Sequence, residues 1–435
     1  MTAMRNARLD AKTYRTYVDI LKKELVPALG CTEPIAVAYA AAYATAVLKQ
    51  RPERVEVERA EAWCSGNIVK NVKGVVVPKT GGLKGIDAAA IAGIVGGDAK
   101  AGMQVLEAVK DGQQAEIRRL LTEGFCRTHL LLGDETLHII VKVFAGDASA
   151  EVSIKGSHTN ICRVVRDGEV LVDRDTAAKQ VAADEPSLLN VRDIITFADT
   201  VKLEDIAPII AEQIDKNTRI SEEGLSGHYG VGVGRTLLKY AGTDLRTRAK
   251  ARAAAGSDAR MSGCALPVII NSGSGNQGMT ASLPVITYAE ELEVGHDRLY
   301  RALVLSNLIA IHQKTSIGKL SAFCGAVSAA CGAGAAITYM LGGDYEAISR
   351  TITNAIGNVG GIVCDGAKPS CAAKIASAVD AAIMAHHLAV EGQAFSDGEG
   401  LVTGDVEGTI ANIGQVASKG MKSTDLEILR LMVGG

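Results

Sequence analysis

Two stretches of this chain, residues 261–289 and 320–343, carry no charged side chain. Both are rich in Gly, Ala, Ser and Asn, and neither has the sustained Leu, Ile and Phe character of a membrane span. Segments of that length without charge have to be enclosed, so the fold must bury both as core or as walls of an active site. Aromatics make up only 4% of the chain while Gly reaches 47 residues. Small side chains therefore fill the space around these segments, and helices there can approach closely. A chain of 435 residues also exceeds one ordinary core, so two or three domains are expected.

Residues 13–26 and 35–48 carry helical patterns, the second with Thr32 as its N-cap and Glu33 in its first turn. From Val55 the period changes, and RVEVERAEAW alternates as a strand does. Residues 74–78, 137–144, 150–156 and 167–173 read as further strands, and 86–109 and 112–122 as helices. Beyond about residue 180 the signals are helical: 203–214, 233–241, 287–312, 320–341, 345–356, 371–390 and 423–433. The expected class is α+β. A mixed α/β domain covers 1–180, and its first helices, 13–48, can pack on the second domain. That second domain, 181–435, is mostly helical, with the boundary near the acidic stretch 173–186.

The formal net charge of −3 comes without a clustered basic face, which excludes a nucleic-acid partner. The N-terminus MTAMRNARLDAKTY is polar and has no apolar signal region, so a cytoplasmic protein without membrane contact is expected. Nine cysteines in such a chain read as thiols or metal ligands and not as a disulfide framework. The oligomeric state is left open, a homo-oligomer included.

Cys324 and Cys331 are seven apart, as are Cys364 and Cys371. Either pair can share a helix face, and each thiol alone is equally well explained as a core residue. In GIVCDGAKPSCAAK, Cys364 enters a Gly/Pro loop and Cys371 opens a helix behind Ser370, where unpaired N–H groups favour a thiolate. The long gap between the pairs argues against a compact zinc ribbon. Cys31, in GCTEP, stands just ahead of the second helix and is expected to be a low-pKa thiol. NSGSGNQG (271–278) follows an apolar run; its glycines allow positive φ, and its amides can form an anion nest suited to a carboxylate. Asn271, Ser272, Gly273, Ser274 and Asn276 are its candidate substrate contacts. The same stretch matches G-x-G-x-x-G, but Pro284 is expected to interrupt the helix that a dinucleotide site needs.

GCTEP, NSGSGNQG, IGKLSAFCGA and GIVCDGAKPSCAAK together resemble the L-cysteine desulfidase family, which is related to the iron–sulfur L-serine dehydratases. The motifs run from residue 30 to residue 374. The resemblance implies a [4Fe–4S] cluster on Cys324, Cys364 and Cys371, spaced forty and then seven apart, and passes over Cys331. It implies that Cys31 acts as base or as a resting-state fourth ligand. One iron without a protein ligand would act as a Lewis acid on the leaving group, so no pyridoxal phosphate is needed. The implied reaction is α,β-elimination of L-cysteine to pyruvate, sulfide and ammonia, with L-serine as the alternative substrate. A non-catalytic iron–sulfur redox sensor is the competing class. SHTN (157–160) is similar to a Ser-His-Thr element that contacts substrate in the dehydratases, which makes His158 a catalytic candidate and Asn160 a binding one. NIVKNVKG and PKTGG resemble family segments too, adding Asn67, Lys70, Asn71 and Lys79 as candidate contacts.

Overall fold

A computed structural model describes residues 9–433 apart from 52, 54, 134, 175–185 and 319. The expected domain boundary therefore lies almost wholly outside the described residues. Helix α1 (Ala11–Glu24) is capped by Asp10, whose side chain accepts from the Lys12 and Thr13 amides. Strand β1 (Pro27–Leu29) and helix α2 (Thr32–Leu48) follow. Then come β2 (Arg59–Ser65), α3 (Gly66–Lys73), α4 (Ile86–Gly96), α5 (Gln114–Thr122) and the strands β3 (Cys126–Leu131), β4 (His138–Ala145), β5 (Ala148–Lys155), β6 (Ile161–Arg166) and β7 (Glu169–Asp173). The rest is helical apart from β8 (Pro267–Ile269). It comprises α6 (Val191–Thr200), α7 (Leu203–Ser226), α8 (Val233–Tyr240), α9 (Leu245–Met261), α10 (Gly275–Glu291), α11 (His296–Ile317), α12 (Gly325–Met340), α13 (Tyr345–Asn358), α14 (Cys371–Val390), α15 (Val406–Gln415) and α16 (Lys422–Val433).

The six-stranded sheet has the order β3-β2-β4-β5-β6-β7. Only the β2–β3 pair is parallel; the other neighbours are antiparallel. Ile139, Val141 and Val143 alternate along β4 and are fully buried. Helix α2 lies against β4, β5 and α4, so it is buried all round and shows no amphipathic period. The start of the chain belongs to the other half as well. Helix α1 packs on α7 and α11, and β1 pairs antiparallel with β8, Ala28 opposite Val268.

Both uncharged stretches are central. Residues 325–340 form α12, which touches α10, α11, α13 and α14. A Cβ at Gly332 would lie 2.4 Å from the Ser306 carbonyl oxygen, so the crossing with α11 is set by the absence of a side chain. The other stretch holds β8, the turn after it and α10. No described helix is long and apolar enough to cross a membrane.

Several local expectations change. Residues 74–78 make no strand: Val76 forms an isolated bridge with Lys84, because Lys79, Gly81 and Gly82 take positive φ and fold the segment back. The helix expected over 86–109 stops at Gly96 and gives way to a 3-10 turn, Ala99–Gln104. The one expected over 287–312 is two helices, divided near Glu293 at φ 49°. Strands β3 and β6 and helices α6, α9 and α15 lie outside the expected elements, although Val191, Ile194, Phe197 and Ala198 of α6 and Val406, Ile410 and Ile413 of α15 are buried at helical spacing. Pro284 does not interrupt α10, which runs through it from Gly275 to Glu291.

Candidate active site

One cavity collects residues from six separate segments. Cys31 and Glu33 come from the start of α2, Asn71 from α3, Arg260 from the end of α9, Ser272, Gly273 and Ser274 from the turn before α10, and Asn276 and Gln277 from the first turn of α10. Cys324, Cys364 and Cys371 complete it with Lys314, Phe323 and Gly366.

The cysteine wall is held by backbone. The Cys324 amide donates to the Ile362 carbonyl at 2.8 Å, and the Cys364 amide to the Ala322 carbonyl at 2.6 Å. This two-rung ladder sets Cys324 and Cys364 side by side, and their thiols share a hydrogen bond. Cys324 is the N-cap of α12 and Cys371 the first residue of α14. Ser370 stands at the N-cap position, but its side chain makes no capping bond. The Cys324 thiol, with the nearby cations Lys70 and Lys374, pushes Cys364 down to about 6 against the effect of burial. Cys324 itself is pushed up as the donor to Cys364 and by burial, and burial also raises Cys371. The Lys70 ammonium, buried on α3, donates to the Cys364 carbonyl at 3.4 Å and pairs with Asp425 of α16. Lys374 donates to the Val363 carbonyl at 2.7 Å and pairs with Asp365. Cys331 faces away, buried in the core with its thiol towards the Ile352 carbonyl.

Opposite stands a polar hub. Helix α2 begins three residues earlier than expected, so Cys31, not Thr32, occupies the N-cap. Gly30 makes the entry: φ is +69°, and a Cβ would lie 2.2 Å from Pro78. Glu33 is buried and accepts three hydrogen bonds of 3.0 Å, from the Cys31 thiol, the Thr32 hydroxyl and the Asn71 amide. His158 Nε2 is 3.9 Å from Glu33 Oε1. Burial alone would raise the Glu33 carboxyl, but His158 and the Cys31 thiol outweigh it and hold it at about 2. Cys31 is then not the low-pKa thiol its helix position suggests. Burial, with Glu33 beside it, pushes it well above the usual range, against Arg260. Cys31 shares a small apolar cluster with Val75 and Met261, against which Cys371 packs.

The turn before α10 joins the two walls. Asn271 and Ser274 exchange backbone hydrogen bonds of 3.1 and 3.0 Å, with Ser272 at φ 50° and Gly273 at φ 77°. Fully buried Asn271 does not face the cavity. It donates to Asn307 at 2.9 Å and accepts from Ser272, and Asn307 donates to Gln213 at 2.8 Å, so a buried amide chain holds the turn. A Cβ at Gly273 would lie 3.0 Å from the His158 ring, and one at Gly278 only 2.0 Å from the Ile269 carbonyl oxygen. Both glycines are close-approach positions.

Among the sequence candidates, Cys31, Ser272, Gly273, Ser274, Asn276 and the three cysteines line the cavity, as does Asn71, and His158 lies beside it. Asn67, Lys79 and Asn160 do not line it. Asn67 borders a separate pocket against α16, Lys79 sits in the turn after Pro78 at φ 63°, and the Asn160 side chain donates to the Lys155 carbonyl at 2.8 Å. Glu33 and Arg260 were missed as site residues. The available signal for Arg260 was its place as the last charge before an uncharged stretch.

Residues 100–430 match the family model for the serine dehydratase alpha chain. A UPF0597 protein of Lachnoclostridium phytofermentans is 52% identical over 97% of this chain and all of its own length. One from Desulfitobacterium hafniense is 51% identical over 97% of both chains, and one from Treponema denticola 45% identical over 98% of this chain and 99% of its own. The family match takes in His158, Arg260, the 271–278 turn and the three cysteines; Cys31, Glu33 and Asn71 fall within the full-length relatives.

Proposed function

The chain belongs to the serine dehydratase alpha-chain family, and from that premise we propose that it is an iron–sulfur-dependent lyase eliminating the β-substituent of a small L-amino acid, L-cysteine before L-serine. Membership supports a lyase. The observation that carries the finer reading is the meeting of Cys31, Cys324, Cys364 and Cys371 with the 272–277 turn around one small cavity.

Cys324, Cys364 and Cys371 are the residues that would hold a [4Fe–4S] cluster. Three soft thiols on one wall form a donor set of that kind, and Lys70 and Lys374 behind them offset the charge of three thiolates. No three His, Cys, Asp or Glu side chains among the described residues converge as a single ion requires. The three-thiol donor set lining one cavity is what supports a cluster here. When bound, it supplies Lewis-acid activation of the leaving group.

The chain's own residues cover the remaining needs. The turn and the first amides of α10 offer donors to a carboxylate. Cys31 stands at the cavity with its thiol donating to Glu33, and its place there makes it the candidate to take the α-proton once ionised. Thr32 and Asn71 hold Glu33 in the rotamer that meets that thiol. All nine cysteines are free, which supports a reducing compartment, and we place the reaction in the cytoplasm.

The test is direct. Anaerobically prepared protein should contain about four irons and four sulfides per chain, release sulfide and pyruvate from L-cysteine, and lose both activity and visible absorption in Cys371→Ser. Pyruvate from L-serine with no sulfide from L-cysteine would move the substrate to serine. Bound cluster with no product from either would leave the redox reading.

A further inference from the structure

We infer that Arg260 is the receptor for the substrate's carboxylate, gripping it by one edge of its guanidinium at the N-terminus of α10. The inference rests on the amino-acid reading of the cavity given above. Arg260 lies in the last turn of α9 and is 1% exposed. Its Nη1 donates to Asn276 Oδ1 at 3.1 Å. Nε and Nη2, the adjacent donors of one edge, are buried with no partner. Among the described residues no carboxylate pairs with it. A buried guanidinium with two vacant N–H groups is costly unless a ligand fills them.

The surroundings increase that cost and name the guest. A Cβ at Gly275 would lie 2.4 Å from Arg260 Nε, so the glycine lets the guanidinium lie against the first turn of α10. A cation beside a helix N-terminus is unfavourable by itself, because both ends are positive. An anion in the cavity relieves both at once. The same molecule shows what this edge binds. Arg246 uses Nε and Nη2 to hold both oxygens of Asp380 at 2.8 and 2.7 Å. A planar carboxylate is the matching ligand. A substrate held there by its carboxylate has the cysteine wall across the same cavity for its β-substituent.

The anaerobic holoprotein is titrated calorimetrically with L-alanine, propionate and ethylamine. L-Alanine and propionate are expected to bind, and ethylamine far more weakly. Arg260→Met should weaken L-alanine and propionate by roughly 100-fold. It should keep its iron and, without ligand, unfold no earlier than the parent, since a buried unpaired charge is gone. Arg260→Lys keeps the charge without the fork and should weaken L-alanine by roughly 10-fold. Unchanged L-alanine affinity in either variant overturns the inference, as does loss of iron together with loss of all three ligands. The lyase reading fails separately. If the parent releases neither sulfide nor pyruvate yet binds L-alanine through Arg260, the carboxylate site stands. If it turns over L-cysteine and Arg260→Met keeps the same KM, the lyase stands and the carboxylate site falls.

Discussion

Replacing Glu33 by Gln should cost about 3 kcal/mol of stability at pH 7, and that cost should shrink in acid. The carboxyl is held at about 2, against an ordinary value of 4.5. By linkage, the ionised side chain then stabilises the fold by about 3 kcal/mol once the pH is above the unfolded value. The sign is that of a depressed acid: the contribution is complete above about pH 4.5 and is lost as pH falls towards 2. At pH 3 less than half should remain. Gln keeps the shape but turns an N–H₂ towards a donor, either Asn71 or the Thr32 and Cys31 pair. The assay is urea unfolding of parent and variant at pH 7 and pH 3. Equal gaps at the two pH values, or no gap at pH 7, would refute the argument that charge makes Glu33 the hub.

Gly30→Ala combines a positive φ with a Cβ 2.2 Å from Pro78 and should destabilise by about 2 kcal/mol or more, read by the same urea method. Cys331→Ala should keep iron content and visible absorption while costing about 1–2 kcal/mol for a buried side chain; loss of iron would place Cys331 in the cluster set. Asp258 is buried, and burial pushes its carboxyl up to about 6 despite the Gly234 amide it accepts from. A raised acid stabilises below its unfolded value and loses that as pH climbs through 6, so Asp258→Asn should flatten the decline in stability between about pH 4 and 6, as thermal unfolding across that range will show.

Much of this site was readable because its cysteines stand where local rules act. Cys371 opens α14 as its loop-then-helix pattern predicts, and 371–390 matches to the residue. The forty-residue step from Cys324 to Cys364 has no local rule. It reflects the ladder between 322–324 and 362–364, a pairing of distant segments without any strand signature. Position alone misjudged Cys31, since a helix N-terminus lowers a thiol only while water reaches it, and burial beside Glu33 reverses the sign. Asn67, Lys79 and Asn160 are candidates only through the resemblance of their segments, and their direction depends on turns such as the one that positive φ at Lys79 creates. Arg260 carries no local signal beyond its place before an uncharged stretch; its burial follows from the packing of α9 against its neighbours, which encloses most of that helix.

The three-residue pairing of β1 with β8 has a consequence for biosynthesis. It joins residue 28 to residue 268, next to the turn that faces Cys31. Cys364 and Cys371 lie still later in the chain. On a ribosome releasing the N-terminus first, Cys31 and Glu33 emerge early and wait through most of translation for the partners that complete their cavity. The thiol wall therefore closes only after Cys371 has been made, and the cavity between it and Cys31 is a late product of synthesis.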